Sequence, residues 1–235
     1  MKYKSRAISL SYLKQGDSSI IARIFTEEKG LQSFIVKGVR AKKAKKKLSL
    51  FQPLQLLSIN ATHIHKNNLQ YISEIALEHT PINDGINIKK NFISIFIAEA
   101  ISKVLLETEK DKALFKFIWE LKIKLSSLEK INSNFPLIFL IRLSECLGFS
   151  PSKEDTNGVY FNMQSGEFTN NKQQLNYYVE KDNSIYLKEL LENKDINIPY
   201  QNRNQILLNL IQYYKLQHHE LKDMTSHLII ESLRK

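Results

Sequence analysis

The chain has 235 residues, of which 43% are hydrophobic and 25% are charged, so it carries enough apolar side chains to form a folded core. This composition excludes a disordered tail protein, a collagen-like fibre and a coiled coil. Cys146 is the single cysteine, which excludes an intrachain disulfide and a cysteine-rich zinc site and fits a reducing compartment. The longest apolar run, Phe135–Ile141, contains Pro136 and is too short to cross a membrane, so we expect a soluble cytoplasmic protein.

The net charge of +10 is concentrated in the first third of the chain. Residues 1–80 contain 14 lysines and arginines against 5 acidic residues, whereas residues 81–235 contain 20 against 19. The excess of lysine over arginine, 28 to 6, raises the lysine content everywhere but does not explain this placement. We therefore expect the first 80 residues to meet a polyanion.

Alternating apolar residues predict five short strands in the first part of the chain, at 4–13, 18–26, 31–37, 50–62 and 69–77. In the first strand we expect Ile8, Leu10 and Tyr12 to share one face. In the second, one face carries Ile20, Ala22 and Ile24, and the other carries Ile21, Arg23 and Phe25. Pro53 lies early in the fourth strand, which places that end at an edge or a bulge. Five strands without a helix long enough for a parallel crossover predict a small closed barrel.

After residue 80 the apolar residues follow the period of helices. The pattern predicts helices at 88–107, 111–128, 134–148, 183–191, 202–221 and 225–233, with one β-hairpin at 159–168. Asn134 is a candidate N-cap, with Pro136 in the first turn. We therefore predict an α+β protein with two domains, a five-stranded barrel at 1–80 and a helical domain at 81–235 that contains the hairpin.

The densest cluster of charge is the segment 37–47, between the third and fourth strands, which we call the basic segment. It has seven cations and no acid: Lys37, Arg40, Lys42, Lys43, Lys45, Lys46 and Lys47. Cations packed this closely repel one another unless a polyanion such as a phosphate backbone neutralises them. Because the segment has no aromatic residue, we expect it to track phosphates and not to read bases. Arg6 and Arg23 are candidates to extend this surface. The alternative is a solvated loop that reflects only the lysine bias.

Exposed aromatic side chains on a small barrel would stack the bases of a single strand. The candidates are Tyr3, Tyr12, Phe25, Phe34, Phe51 and Tyr71. Most of them are expected to fill the barrel core, and the sequence does not distinguish the exposed ones.

No pattern in the chain favours catalysis. There is no phosphate-binding loop that ends in Gly-Lys-Ser/Thr, and Cys146 lies in an apolar helix. His63 and His65 have strand spacing but no third ligand nearby, so we interpret them as edge residues of a strand. Asp17 with Glu27 superficially resembles a metal-dependent nuclease pattern, which stays as an alternative function. We expect no catalytic residue, no metal and no cofactor.

Ordered motifs in the first 60 residues point to a known family. They are Gly16-Asp17-Ser18-Ser19-Ile20-Ile21, Ile24-Phe25-Thr26, Gly30, Val36-Lys37-Gly38-Val39-Arg40 and Phe51-Gln52-Pro53-Leu54. This order resembles the N-terminal pattern of the bacterial RecO family of recombination mediators, and segments 140–151, 213–216 and 225–233 resemble its later helices. Many members carry a four-cysteine zinc cluster after the Gly-aromatic-x-Pro segment. This chain has no cysteine between Ser150 and Phe168, so we expect no zinc there.

The resemblance implies an OB-fold barrel followed by a helical domain, and a protein that is not an enzyme. It implies binding to single- and double-stranded DNA, annealing of complementary strands, and loading of recombinase onto DNA coated by single-strand-binding protein (SSB). The implied partners are RecR and the C-terminal tail of SSB, for which residues 81–235 would supply a docking groove, and the implied location is the cytoplasm at the nucleoid. Candidate contact residues in that part are Tyr177, Tyr178, Tyr186, Tyr200, Tyr213 and Tyr214. An RNA-binding OB module with a helical accessory domain is the other alternative.

Overall fold

The structure of the chain is a computed structural model that describes residues 1–40, 45–64, 68–79, 87–105, 110–153, 157–172, 177–217, 221 and 224–228. For residues 45 and 46 only the backbone is described. The chain forms two compact units. The first contains Met1–Ile131 together with the described residues from Ser226 onwards, and the second contains Asn132–Thr225. The predicted domain boundary at residue 80 stays a prediction, and the structure adds that two helices belong to the same compact unit as the barrel.

Five strands close into the barrel of the first unit in the order β1-β2-β3-β5-β4. Their bounds are β1 Lys2–Gln15, β2 Ser19–Thr26, β3 Gly30–Val36, β4 Leu56–Thr62 and β5 Leu69–Leu77. All neighbouring strands are antiparallel except β3 and β5, which run parallel and complete the closure. This arrangement confirms the barrel that the alternating pattern predicted.

The barrel core is built from inward side chains of the strands, as period-two alternation requires. Its buried members are Ala7, Ile20, Ala22, Ile24, Phe34, Val39, Phe51, Leu57, Ile59 and Ala61. The prediction for β2 is confirmed, but that for β1 is wrong. A bulge between Ser9 and Ser11 shifts the register, so Ile8 pairs with outward Phe25 while Tyr12 pairs with inward Ala22. Because one extra residue reverses the faces that follow it, the two halves of β1 have opposite phases.

The predicted start of the fourth strand is also wrong. A short helix α1, Lys45–Leu48, and a 3-10 turn, Ser49–Phe51, precede β4, which begins only at Leu56. Pro53 therefore lies in the turn before β4 and not in the ladder. Phe51 is fully buried in the barrel core, so this turn closes one end of the barrel.

Helices α2, Ile88–Val104, and α3, Lys112–Ser127, complete the first unit. Each begins at a side-chain cap, because Asn87 Oδ1 accepts from the Lys90 amide at 3.1 Å and Asp111 Oδ1 accepts from the Leu114 amide at 2.8 Å. Helix α2 packs against β1, and Phe115 of α3 meets Phe25 of β2 edge to face at 5.3 Å.

These helices lie over an apolar row on the outside of the barrel that we call the covered row. It consists of register partners across four strands: Leu56, Ile8, Phe25 and Leu31. All four side chains are buried although they point away from the barrel core. The outward apolar residues on this side thus form a second core between sheet and helices.

In its described residues, the second unit contains three helices and a small sheet. The helices are α4 Phe135–Cys146, α5 Lys181–Leu191 and α6 Tyr200–Leu216, and the sheet consists of β6 Tyr160–Asn162, β7 Glu167–Thr169 and β8 Tyr178–Val179. The sheet has the order β7-β6-β8, so the predicted hairpin gains a third strand. Of the helix predicted at 225–233, the structure describes residues 225–228, of which residues 226–228 are helical.

An aromatic cluster joins the hairpin to α6. Phe161 packs on Phe168 at 5.1 Å and on Tyr213 at 5.4 Å, and Phe149 packs on Tyr213 and on Tyr214. The Tyr214 hydroxyl donates to the Leu140 carbonyl at 2.5 Å, and the Tyr213 hydroxyl donates to the Phe149 carbonyl. Burial raises the pKa of Tyr213 to about 12 and that of Tyr214 well above its usual value. Both hydroxyls therefore stay neutral donors that tie α6 to α4 and to Phe149, while the Tyr213 ring packs on Phe161 of the hairpin.

Candidate nucleic-acid interface

The basic segment begins directly after β3, and its first part is hydrogen-bonded to the turn between β1 and β2. The Arg40 amide donates to the Ser18 carbonyl at 3.0 Å, and the Arg40 guanidinium donates to the Gly16 carbonyl at 2.7 Å. Gly16 has φ +58°, a conformation that glycine adopts without strain, so the turn can present its carbonyl. Val39 is buried in the barrel core directly before Arg40. The first cations of the segment are thereby fixed at one end of the barrel.

The segment returns to the barrel through α1 and the turn that follows it. Leu48 and Leu50 pack against the core, and Phe51 is buried within it. Lys37 and Lys47 are exposed, and Lys45 and Lys46 begin α1. Lys42 and Lys43 lie outside the described residues, as do the side chains of Lys45 and Lys46. The structure thus fixes both ends of the segment, and their cations are accessible where the side chains are described.

Arg23 lies on the outer face of the barrel, near the middle of β2. Its register partners are Ser11 on β1 and Ser33 on β3, two small residues that leave room around the guanidinium. The Arg23 Nε atom is shielded from solvent and has no hydrogen-bond partner within the described part of the chain. Arg23 is therefore a half-buried cation on the surface of the sheet.

Arg6 is placed differently from the other predicted cations. Its guanidinium makes two hydrogen bonds to the Glu27 carboxylate, at 2.6 and 2.9 Å, and lies 5.0 Å from the centre of the Trp119 ring. The hydrogen bonds from Arg6 lower the pKa of Glu27 below its usual value. Since α3 supplies Trp119, Arg6 links the barrel to this helix. The structure therefore does not bring Arg6 together with Arg40 and Lys37.

Among the six candidate aromatics of the barrel, only Tyr71 is exposed, with 47% of its surface accessible. Phe25, Phe34 and Phe51 are fully buried, and Tyr3 and Tyr12 pack against the barrel core. Tyr71 lies near the start of β5, where it pairs with Ile35 of β3. The structure thus identifies Tyr71 as the candidate aromatic residue that is accessible, a distinction that the sequence alone did not allow.

Tyr71 ends an apolar row that we call the open row. Its members are register partners across β1, β2, β3 and β5: Leu13, Ile21, Ile35 and Tyr71. Leu13 is 70% exposed, and Ile21 and Ile35 are half-buried. Neighbouring strands are about 4.8 Å apart, so the row is about 15 Å long. Sequence reasoning missed Leu13 because it considered only aromatic side chains, and the alignment of Leu13 with Ile21 and Ile35 depends on the register between strands.

The acidic residues of the nuclease alternative are not brought together. Asp17 lies in the turn before β2 and Glu27 in the turn after it, so eight strand residues hold them about 25 Å apart. His63 Nδ1 lies 3.2 Å from the Gln32 amide oxygen, and His65 lies outside the described residues. Across the described ranges, no group of three or more His, Cys, Asp or Glu side chains is placed to hold a metal ion.

The N-terminal part of the chain matches a protein-family model described as "Recombination protein O N terminal" over residues 1–81. The DNA repair protein RecO of Azobacteroides pseudotrichonymphae is 35% identical to it over 223 residues, which cover 92% of each chain. The chain belongs to the RecO family. The RecO protein of Flavobacterium psychrophilum is 32% identical, with 91% of each chain covered, and that of Bacteroides fragilis is 34% identical, with 81% of this chain and 80% of its own length covered.

Membership of the RecO family confirms the resemblance that the ordered motifs carried, and it supports a role in DNA repair and recombination. The fold class is confirmed as well, since an OB-fold barrel precedes helices and a small sheet. Of the helices that the structure describes, none is long and apolar enough to span a bilayer.

Proposed function

We propose that this RecO-family protein is a DNA-binding recombination mediator that acts without catalysis, metal or cofactor. The observation that carries the proposal is the basic segment, which contains seven cations and whose described ends are anchored to the OB-fold barrel through Val39 and Arg40 at its start and Phe51 after it. Anchoring keeps the charge on one side of the barrel, where it can neutralise successive phosphates of a single or double strand.

Annealing follows from the same charge. Two complementary strands repel each other through their phosphates, and a protein that neutralises those phosphates lowers this repulsion. Because the contacts are to the backbone, binding is independent of sequence, as a mediator that acts on any damaged site requires.

The proposed protein partners are RecR and the C-terminal tail of SSB, with docking of the tail to residues 81–235. That part of the chain is nearly neutral, with 20 cations against 19 anions, so it is poorly suited to hold DNA by charge alone. Tyr177, Tyr178, Tyr186 and Tyr200 are half-buried there and keep accessible surface for contact. Tyr213 and Tyr214 belong to the interior of the second unit and are removed from the docking candidates.

The test is annealing of complementary oligonucleotides by the full chain, with EDTA present and nucleotide absent. We expect faster annealing than in buffer for naked strands and for strands coated with SSB. SSB that lacks its C-terminal tail is the matched control, and strands coated with it should lose the stimulation. No stimulation of naked-strand annealing would contradict the proposal. Stronger competition by RNA than by DNA of the same sequence would favour the RNA-binding alternative, since only RNA offers the 2′-hydroxyl.

A further inference from the structure

The open row lies beside the anchored end of the basic segment. Leu13 pairs with Ile21, and the adjacent pair in the β1–β2 ladder is Lys14 with Ile20. Ile20 in turn pairs with Val36, the residue that precedes Lys37. The end of the barrel that carries the accessible apolar strip therefore also carries Lys37, and Lys14, which pairs with inward Ile20, lies at its rim.

Arg23 belongs to the next outward row, which consists of Ser11, Arg23, Ser33 and Leu69. Neither this row nor the open row contains an acidic residue. A guanidinium is planar, donates several hydrogen bonds and stacks on aromatic faces, so it suits both the edges and the faces of bases. The Nε of Arg23, which has no partner among the described residues, is a donor that such a ligand would satisfy.

We propose that the open row and Arg23 bind the unstacked bases of single-stranded DNA while the basic segment holds its phosphates, an inference that rests on the DNA-binding function proposed above. The ligand must combine apolar, planar groups with regularly spaced negative charge, because the surface combines Tyr71 and aliphatic side chains with flanking cations. A single strand has this chemistry, and base stacking on aromatic side chains tolerates any sequence.

A duplex does not offer the same groups. Its bases are stacked inside, and only phosphates and groove edges reach a flat protein surface. The open row therefore contributes to single-strand binding and not to duplex binding. During annealing, the bases leave the row as they pair, and the product is then held by the basic segment alone, which favours its release.

The test compares Tyr71→Ala, Tyr71→Phe and the matched control Leu77→Ala. Leu77 lies at the other end of β5 with a similar exposure of 42%. The probes are a labelled oligothymidylate, an oligonucleotide of the same length with only abasic sites, and a duplex of that length. Binding is measured by fluorescence polarisation over a range of salt concentrations.

We expect Tyr71→Ala to weaken binding of the oligothymidylate roughly five- to tenfold, the loss of one stacked base. Its binding to the abasic and duplex probes should stay within about twofold of the unsubstituted protein, with an unchanged salt slope, because every cation that neutralises a phosphate is kept. Tyr71→Phe keeps the ring and should bind like the original chain, as should Leu77→Ala.

An equal loss on the duplex and abasic probes would overturn the inference, since it would place Tyr71 at the phosphates. Unchanged binding of the oligothymidylate would also overturn it. The open row would then be a candidate contact surface for a protein partner and not for DNA. Failure of the unsubstituted chain to bind any probe would instead contradict the proposed function itself. Circular dichroism checks the fold of each variant, and Leu13→Ser, at a 70% exposed position, provides a second variant of the row.

Discussion

The covered row and the open row cross the outside of the same barrel and consist of the same kinds of residue. The covered row, with Phe25 at its centre, lies beneath α2 and α3 and is excluded from water. The open row, which ends at Tyr71, keeps much of its surface accessible. Outward apolar residues on a barrel strand therefore either pack beneath a helix or form an accessible surface. Which of the two occurs depends on where the helices that follow the barrel in the chain pack.

The arginines show the same contrast. Arg6 lies near the covered side, where Glu27 and Trp119 engage it. Arg23 lies beside the open row, and its Nε has no partner in the part of the chain that the structure describes. An arginine that sequence reasoning assigns to DNA binding can thus instead stabilise the contact between the barrel and a helix. Four experiments test this comparison, in order of decreasing effect.

The largest effect is expected from Phe25→Ala in the covered row. Removing a fully buried ring that contacts Phe115 should lower the free energy of unfolding by about 3–5 kcal/mol. Tyr71→Ala in the open row should cost less than about 1 kcal/mol, because that ring is half exposed. Urea unfolding followed by the fluorescence of Trp119, the chain's single tryptophan, measures both values. Equal losses would erase the distinction between the two rows.

The next effect is on DNA affinity. Changing Lys42, Lys43, Lys45, Lys46 and Lys47 to Ala should weaken binding to a single strand at least tenfold. It should reduce the log–log salt slope by up to about 3.5, or about 0.7 for each phosphate that is no longer neutralised.

The matched control removes the same charge elsewhere, at five exposed lysines: Lys89, Lys124, Lys130, Lys181 and Lys215. This variant should keep most of the affinity and of the slope. If both variants lose the same amount, the net charge of the chain and not the basic segment would determine binding. The fold should be unaffected in either case, because Val39 and Phe51, which anchor the segment, are unchanged.

A smaller effect is expected from Arg6→Ala. Losing the ion pair with Glu27 and the interaction with the Trp119 ring should cost about 1 kcal/mol of stability. Affinity for a duplex should change by less than about twofold, since Arg6 is already engaged. The control is Lys116→Ala, which removes an exposed i,i+4 pair with Glu120 and should cost less than about 0.5 kcal/mol. A large loss of DNA affinity without a loss of stability would indicate that Arg6 contacts DNA, contrary to this interpretation.

The smallest effect is a pH dependence. The folded-state pKa of Glu27 is lowered by Arg6, so this carboxylate stabilises the fold above its unfolded pKa, near 4.5, and the contribution is lost as the pH falls through the folded pKa. In Arg6→Ala the pKa returns towards its usual value and the contribution disappears. Thermal unfolding by circular dichroism should therefore show a difference between the two proteins that is constant above pH 5 and shrinks below pH 4.5. A difference that grows in acid would contradict this assignment.

The sequence by itself determined much of this protein. Strict alternation in β2 separates Ile20, Ala22 and Ile24 from Ile21, Arg23 and Phe25, because side chains of a strand point to opposite faces. Turn glycines and the change of apolar period likewise place the barrel before the helices, and ordered motifs lead to the RecO family. The dense cations of the basic segment are equally visible without coordinates, since charge is a property of composition.

Only the tertiary structure decided which outward residues are buried and which are accessible. The bulge after Ser9 reverses the phase of β1, and local sequence shows no sign of it because one inserted residue looks like any other. Helix α3 covers Phe25 but not Tyr71, although both are outward aromatic residues of barrel strands. The engagement of Arg6 by Glu27 and Trp119 likewise joins residues distant in sequence. Local periodicity fixes the direction of a side chain, whereas its partner depends on contacts between distant segments.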